Sequence, residues 1–336
     1  MPDPRPNDDG AAREPVGDPT PVGLVLRELA SHSDLHEVER IQREVWGLDD
    51  LEVVPNSQLR AALHAGGQLG GAFMGEVLVG FSYGFLASPH GRLMAGAGLH
   101  SHMAAVRPAA RGRGIGQALK WQQRVWCLER GLEWITWTFD PLQARNANLN
   151  LHHLGALGID YLVDFYGPMG GPLGGGRSDR LLAFWPLAGR KVTAIAEGWS
   201  PREPAVGSAR SRWPSGGRSW SPREPAVGPL ASASALEGSP VWALRASSAE
   251  WNAEPMVELS DERLARTAAA GARVMVAAPP EAGGAAAPER AERWQDAFVR
   301  TIVPLFEAGY AAVDFVAGAY VLEPTDGGFE AEPSNL

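Results

Sequence analysis

Residues 106–116 read VRPAARGRGIG and place two arginines, Arg111 and Arg113, among three glycines. The apolar run LHSHMAA comes directly before this stretch, and GQALKWQQRVW, whose apolar residues have helical spacing, overlaps its end. A chain that leaves a strand and enters a helix through glycines presents unpaired backbone N–H groups, and the helix start and the arginines add positive charge. The stretch therefore predicts an anion-binding loop between a strand and a helix.

Two common phosphate loops fit this stretch poorly. A nucleoside-triphosphate loop needs G-x-x-x-x-G-K-[ST], and no Lys-Ser/Thr pair follows here. A dinucleotide loop needs G-x-G-x-x-G in the first strand-turn-helix unit, whereas Gly112, Gly114 and Gly116 have a different spacing and follow several strands.

Patterns on both sides of the loop alternate between strand and helix from Val22 to Leu187. Strands are predicted for VGLVLREL, for two runs joined at Gly75-Glu76, and for MAGAGLHSHMAAV, WITWTFDP, DYLVDFYG and RLLAFWPL. Helices are predicted for SDLHEVERIQREVW, PNSQLRAALHAG, GQALKWQQRVWCLERG and ARNANLNLHHLG.

Composition divides the rest of the chain. We expect a disordered tail at 1–21, a first domain at 22–188, a low-complexity linker at 189–240 and an α/β region at 241–325, followed by a tail at 326–336. The linker contains WSPREPAVG twice, at 199–207 and 220–228. In the last region, RVMVAAPPE, YAAVDFV and AYVLE have the pattern of strands, and ERAERWQDAFVRTIVPLFEAG that of a helix.

The overall composition narrows the function classes. The chain has 336 residues, is 45% hydrophobic and carries a formal charge of -9, which argues against a broad nucleic-acid interface. Its single cysteine, Cys127, excludes internal disulfides and a thiolate metal cluster, and we expect no metal. Neither a membrane span nor a signal peptide is predicted, so a cytoplasmic protein without a membrane partner is expected. A homodimer is the default expectation for its assembly.

The stretch Arg111 to Gly116 resembles the [QR]-x-x-G-x-[GA] pyrophosphate loop of the GNAT superfamily of acyl-CoA N-acyltransferases. The resemblance covers about residues 23–187, and WTFDPLQARNANLNLHHLGA is similar to a subfamily of larger members, some linked to N-acyl-amino-acid metabolism. It implies an α+β fold with a mixed, mostly antiparallel sheet flanked by helices. It also implies that acyl-CoA is the co-substrate, bound by Val106, Arg111, Gly112, Arg113, Gly114, Ile115, Gly116 and Asn146.

The mechanism that this resemblance implies is direct attack of an amine on the thioester, in a gap where the strand before the loop and the strand WITWTFDP splay apart. Strand alternation places His100 and His102 on one face of LHSHMAAV and Ser101 and Met103 on the other, so the histidines, His102 above all, are candidate general bases. Members of the family often carry a glutamate near this position.

Members also often carry a tyrosine acid on the last helix, and this chain has Leu151 at that position. Asn150 is the candidate acid in its place, with His152 and His153 as alternatives, although the thiolate is also able to leave without a protein acid. On the helix after the loop, Lys120, Gln123 and Arg124 share a face that we interpret as solvated. After WITWTFDP, Arg145 is a candidate partner for an acceptor carboxylate.

These observations predict transfer of an acetyl or related group, such as succinyl, to a small-molecule amine such as an amino acid. Acylation of a protein N-terminus or lysine is the alternative within enzymes. A CoA-binding protein without catalysis is the alternative in another class, because the tyrosine is missing and histidines replace the glutamate.

Overall fold

The computed structural model describes residues 23–48, 50, 52–89, 96–167, 177–198, 240–248, 253–280 and 288–325. The strands in these ranges are β1 Leu24–Glu28, β2 Gln68–Met74, β3 Val77–Ala87, β4 Gly98–Val106, β5 Trp134–Phe139, β6 Leu157–Leu162, β7 Arg180–Pro186, β8 Val241–Ala246, β9 Pro255–Val257, β10 Val274–Ala277, β11 Tyr310–Val316 and β12 Ala319–Pro324. The helices are α1 His32–Trp46, α2 Asn56–His64, α3 Ile115–Leu128, α4 Ala144–Ala147, α5 Arg190–Gly198, α6 Asp261–Ala269 and α7 Pro288–Glu307.

All twelve strands of the described residues form one sheet, in the order β1-β2-β3-β4-β5-β7-β6-β11-β12-β10-β8-β9. Strands β1 to β4 are an antiparallel meander, β4 and β5 are parallel, and β6 and β7 return antiparallel. The predicted mixed, mostly antiparallel α+β fold is confirmed.

Helices cover both faces of this sheet around β3 and β4. Phe81 and Tyr83 of β3 pack in one apolar cluster with α1 and α2, whereas Gly80 of the same strand faces Leu119 of α3. Helix α1 begins at the capping box of Ser31 and Asp34, whose side chains bond each other's backbone N–H groups. The sheet thus has an α1–α2 face and an α3 face, and β4 lies between them.

The C-terminal region repeats the connectivity of the second half of the first domain. Strands β8 and β10 are parallel, as β4 and β5 are, and β12 pairs antiparallel with both β10 and β11, as β7 does with β5 and β6. The two units meet where β11 pairs antiparallel with β6. The contact is reciprocal, because α7 packs on β6 and the π-helical turn after α4 packs on β11. One continuous sheet therefore joins the two predicted regions.

Several boundaries differ from the sequence predictions. Strands β8 and β9 and helix α6 were not predicted. Strand β9 has only three residues, too few to show an alternation pattern. The strand predicted at 160–167 lies at Leu157–Leu162. Helix α5 occupies the start of the predicted linker, and there Lys191 Nζ donates hydrogen bonds to the carbonyl oxygens of Leu151 and Val313. The duplicated WSPREPAVG segments and both predicted tails lie outside the described residues.

No helix in the described parts of the chain combines the length and apolar character that crossing a membrane requires.

Candidate active site

Strands β4 and β5 pair only at their beginnings. The parallel register runs from Gly98 opposite Trp134 to His100 opposite Thr136, and there it stops, although β4 continues to Val106 and β5 to Phe139. We call the space between residues 101–106 and 137–139 the wedge, and the pair His100–Thr136 is its vertex. Backbone groups along the facing edges of the wedge are not used in a β4–β5 ladder and can bond an added extended segment.

The glycine loop lies at the open end of the wedge. After a 3₁₀ turn at Pro108–Ala110, Gly112 and Gly114 have positive φ angles of 75° and 71°, which turn the chain into α3. Gly114 is the N-cap residue and makes no side-chain capping bond, so the first N–H groups of α3 have neither an intrahelical nor a side-chain partner. A methyl group added at Gly112 or Gly116 would meet no heavy atom within 4 Å. The loop therefore offers both backbone N–H donors and open space, as an anion-binding loop needs.

The other predicted loop residues divide by exposure. Arg111 and Arg113 are exposed, as an anion site requires. The Arg111 Nε donates to the Val106 carbonyl oxygen at 3.2 Å, which occupies that acceptor of β4. The Ile115 side chain is buried in the core between the sheet and α3, so only its backbone N–H faces the loop. Asn146 lies on α4 and is exposed.

A β-bulge interrupts β4 at His102. Met103 lies opposite Tyr83 and Ser101 lies opposite Gly84, so His102 has no partner on β3. Strict alternation, which we predicted, is therefore wrong after Ser101: Ser101 faces α3, but Met103 packs with Phe81 and Tyr83 on the α1–α2 face. The extra residue reverses the side on which the later side chains lie.

The bulge leaves the two histidines in a recess lined with aromatic rings. Their ring centroids are 6.4 Å apart, and the Phe85 ring lies 5.3 Å from His100 and 5.7 Å from His102. Tyr83 closes the recess at 6.1 Å from His102. Partial burial among these rings lowers the pKa of His102 below its usual value, which keeps the imidazole neutral and able to accept a proton.

The α3 side of the wedge holds a buried polar network. Lys120 Nζ donates to Ser101 Oγ at 2.7 Å, Ser101 Oγ donates to Gln123 Oε1 at 2.9 Å, and Gln123 Nε2 donates to Gln68 Oε1 at 2.8 Å. The predicted solvated face is therefore wrong for Lys120 and Gln123, which are 6% and 0% exposed. Arg124 is half-buried and bonds the Leu187 carbonyl oxygen. The only sequence signal was a lysine inside the apolar run ALKW, which also fits a surface position.

The residues after β5 lie in a different environment. Asn150 is buried in the π-helical turn Asn148–His153, which follows α4 and also contacts β11 and β6. Leu151 in the same turn is fully buried. His152 Nδ1 pairs with the Asp314 carboxylate of β11 at 3.0 Å. The turn that carries Asn150 thus lies in the contact between the two units, and within the described residues no hydrogen bond joins Asn150 to the wedge.

Cys127 contributes to packing and not to chemistry. It is fully buried on α3, and burial raises the pKa of its thiol to about 12, so the reactive thiolate does not form near neutral pH.

Solved structures of similar fold include acetyltransferases from bacteria and plants. The ribosomal-protein-S18-alanine N-acetyltransferase from Escherichia coli is 15% identical, with a TM-score of 0.40, over 49% of this chain and 94% of that chain. Arabidopsis thaliana NAA60, in complex with a bisubstrate analogue, is 16% identical with a TM-score of 0.40, over 48% and 97%. A GNAT family acetyltransferase from Elizabethkingia anophelis with acetyl-CoA bound is 13% identical with a TM-score of 0.35, over 49% and 98%.

Among curated proteins, none matches this sequence. The family model of the Acetyltransferase (GNAT) family matches residues 33–156, which contain α1, the wedge, the glycine loop and the turn before β6. The chain therefore contains, over residues 33–156, a domain that matches the GNAT family of acetyltransferases.

Proposed function

We propose that this protein transfers an acetyl or related acyl group, such as succinyl, from acyl-CoA to the amine of a small metabolite such as an amino acid. The observation that carries the proposal is the wedge, which has an uncapped, glycine-lined helix start at its open end and a histidine in a β-bulge near its vertex. The two features match the two ends of the pantetheine arm of acyl-CoA, which joins the pyrophosphate to the thioester.

The loop supplies the pyrophosphate site. Backbone N–H groups at the start of α3 point into space that Gly112 and Gly116 leave open, and Arg111 and Arg113 add two exposed charges. Acyl-CoA fits these residues because its pyrophosphate is the anion they accept and its amide-bearing arm can lie in the wedge as an added strand. Asn146 is proposed as a further contact from α4.

The bulge supplies the reacting end. A backbone N–H that the bulge removes from the β3–β4 ladder can stabilise the oxygen of the tetrahedral intermediate. His102 takes the proton of the attacking amine, directly or through a water molecule, and His100 holds the vertex beside it. Positioning of the amine against the thioester supplies most of the rate.

The ring-lined recess favours a compact acceptor. The exposed Phe85 ring offers a flat apolar face beside the histidines, which suits an amine with an apolar or aromatic substituent and also attracts an ammonium group. An amino acid with an apolar side chain combines both features.

Thiol release tests the proposal. The full chain is incubated with acetyl-CoA or succinyl-CoA and with single amino acids, small aromatic amines, or peptides with a free N-terminus or lysine. Amide product from a small amine supports the proposal. Product from peptides alone would make the protein a peptide acyltransferase. Binding of acetyl-CoA with no product from any amine would make it a CoA-binding protein.

A further inference from the structure

Lys120 places a buried amino group beside the vertex of the wedge. Its Nζ bonds Ser101 Oγ at 2.7 Å and lies 3.9 Å from the ring centroid of Trp137. Ser101 is the first β4 residue and Trp137 the first β5 residue beyond the last paired residues, His100 and Thr136. Lys120 therefore touches both edges of the wedge where they begin to separate, on the α3 face.

A buried ammonium without a carboxylate is costly, and Lys120 has none among the described residues. The titratable group of α3 that acts on it is the Cys127 thiol. Strand β4 presents Ser101, and β5 presents Trp137. Burial lowers the pKa of Lys120 to about 7, so the amine changes between its charged and neutral forms near neutral pH.

We propose that Lys120 is the general acid of the transfer and gives its proton to the sulfur of the departing CoA. The proposal rests on the proposed function, because it takes the arm of acyl-CoA to lie in the wedge with its pyrophosphate at the loop. An arm that enters at the loop and runs along residues 106 to 101 ends at the vertex, where Nζ lies.

The step balances in protons and electrons. The amine nitrogen forms a bond to the carbonyl carbon, and its proton goes to His102. When the intermediate collapses, the electron pair of the C–S bond goes to sulfur, and the sulfur takes a proton from Lys120 Nζ. Solvent later returns one proton to Lys120 and removes one from His102.

Neighbouring side chains on this face are poor acids. The Ser101 hydroxyl already donates to Gln123 Oε1, and the amide of Gln123 does not titrate. The Cys127 thiol has a pKa of about 12. Lys120 is the group among them with a proton to give at neutral pH.

Ultraviolet absorbance of the thiolate of bound CoA tests the contact without any acceptor. With the wild-type chain, the ammonium stabilises the thiolate, and we expect bound CoA at pH 7 to show about tenfold more thiolate than free CoA. Lys120→Met should abolish this gain. Lys120→Arg should keep the gain, because the charge remains, but should slow acyl transfer, because arginine does not give up its proton.

Nitrogen-15 lysine spectra of the wild type provide a measurement that needs no folded variant. Lys120 and Lys191 are the two lysines of the chain, and a Lys191→Met variant assigns the signals. CoA should raise the titration midpoint of Lys120, whereas desulfo-CoA, which lacks the sulfur, should not. Two results would overturn the role of Lys120 without touching the proposed function. One is an equal titration midpoint of Lys120 with CoA and with desulfo-CoA, and the other is a thiolate fraction of bound CoA no greater in the wild type than in Lys120→Met. Failure of both ligands to bind would overturn the proposed function together with it.

Discussion

His100 Nδ1 lies 3.1 Å from Thr136 Oγ1, across the last pair of residues that β4 and β5 share. This contact joins the two strands at the point from which they separate, so it fixes the vertex of the wedge. The general base proposed for the reaction, His102, is two residues further along β4, and the amino group of Lys120 lies on the opposite face of the same point. Both faces of the sheet thus present a titratable group at one position.

The pH profile of kcat/KM should show the titration of His102. The neutral imidazole is the active form, and burial lowers its pKa, so the acidic limb of the profile should lie at lower pH than the limb of an ordinary histidine. His102→Ala should lower kcat by about 10²-fold and remove this acidic limb. His64→Ala, an exposed histidine of α2, is the matched control. An unchanged limb in the His102 variant would exclude it as the base.

Gly116→Asp should strongly weaken CoA binding without unfolding the protein. The position has open space, and an acidic residue in the first turn of a helix stabilises that helix by about 0.3–1 kcal/mol. The new carboxylate would face the pyrophosphate, and we expect affinity to fall by about 10²-fold or more. Gly116→Asn adds the same bulk without charge and should bind more tightly than the aspartate variant. Calorimetric titration and a melting curve measure the two effects, and a lower melting temperature with unchanged affinity would contradict the loop assignment.

Phe85→Ala should weaken the binding of the acceptor amine rather than the binding of the acyl donor. The Phe85 ring contacts both histidines of the recess. Its loss should raise KM for apolar amines, with the Kd for CoA unchanged. Leu86→Ala is the control, because this residue is also exposed and lies on the other face of the same strand. Steady-state kinetics at varied amine concentration measure this effect. Equal KM values for Phe85→Ala and Leu86→Ala would contradict acceptor binding in the recess.

Arg107 should stabilise the fold without contributing to the affinity for CoA. Its guanidinium pairs with Glu37 and Glu44 of α1, and its Nε donates to the Leu78 carbonyl oxygen at 2.9 Å. Arg107→Ala removes these partners, and we expect the free energy of unfolding to fall by about 1–3 kcal/mol. Arg111→Ala should have the reverse pattern, a weaker affinity for CoA and nearly unchanged stability. Chemical denaturation and calorimetry on both variants check this crossed result.

Sequence patterns predicted the first domain well where short-range rules apply. The glycine loop, the helix after it and the strand pair joined at Gly75-Glu76 follow from glycine conformation and apolar periodicity. The bulge at His102 did not follow, because one extra residue in a strand leaves no mark in an alternation pattern. Lys120 was missed for a similar reason: a lysine on a helix is normally exposed, and its burial depends on the approach of β4 and β5.

The C-terminal region shows a further limit of sequence patterns. Its strands β10, β11 and β12 were predicted, yet their addition to β6 depends on long-range pairing that periodicity does not encode. The repeated connectivity likewise appears only once β8 and α6 are placed. No sequence signal marked the turn that carries Asn150 as part of the contact between the two units.

Product analysis with acetyl-CoA and a panel of small amines tests the central claim most directly. We expect the full chain to form the N-acetyl amide of at least one apolar or aromatic amino acid, with one equivalent of free CoA thiol per amide, and Gly116→Asp to form far less at a subsaturating concentration of acetyl-CoA. Thiol release without any amide, or acetyl-CoA binding that Gly116→Asp leaves unchanged, would contradict it.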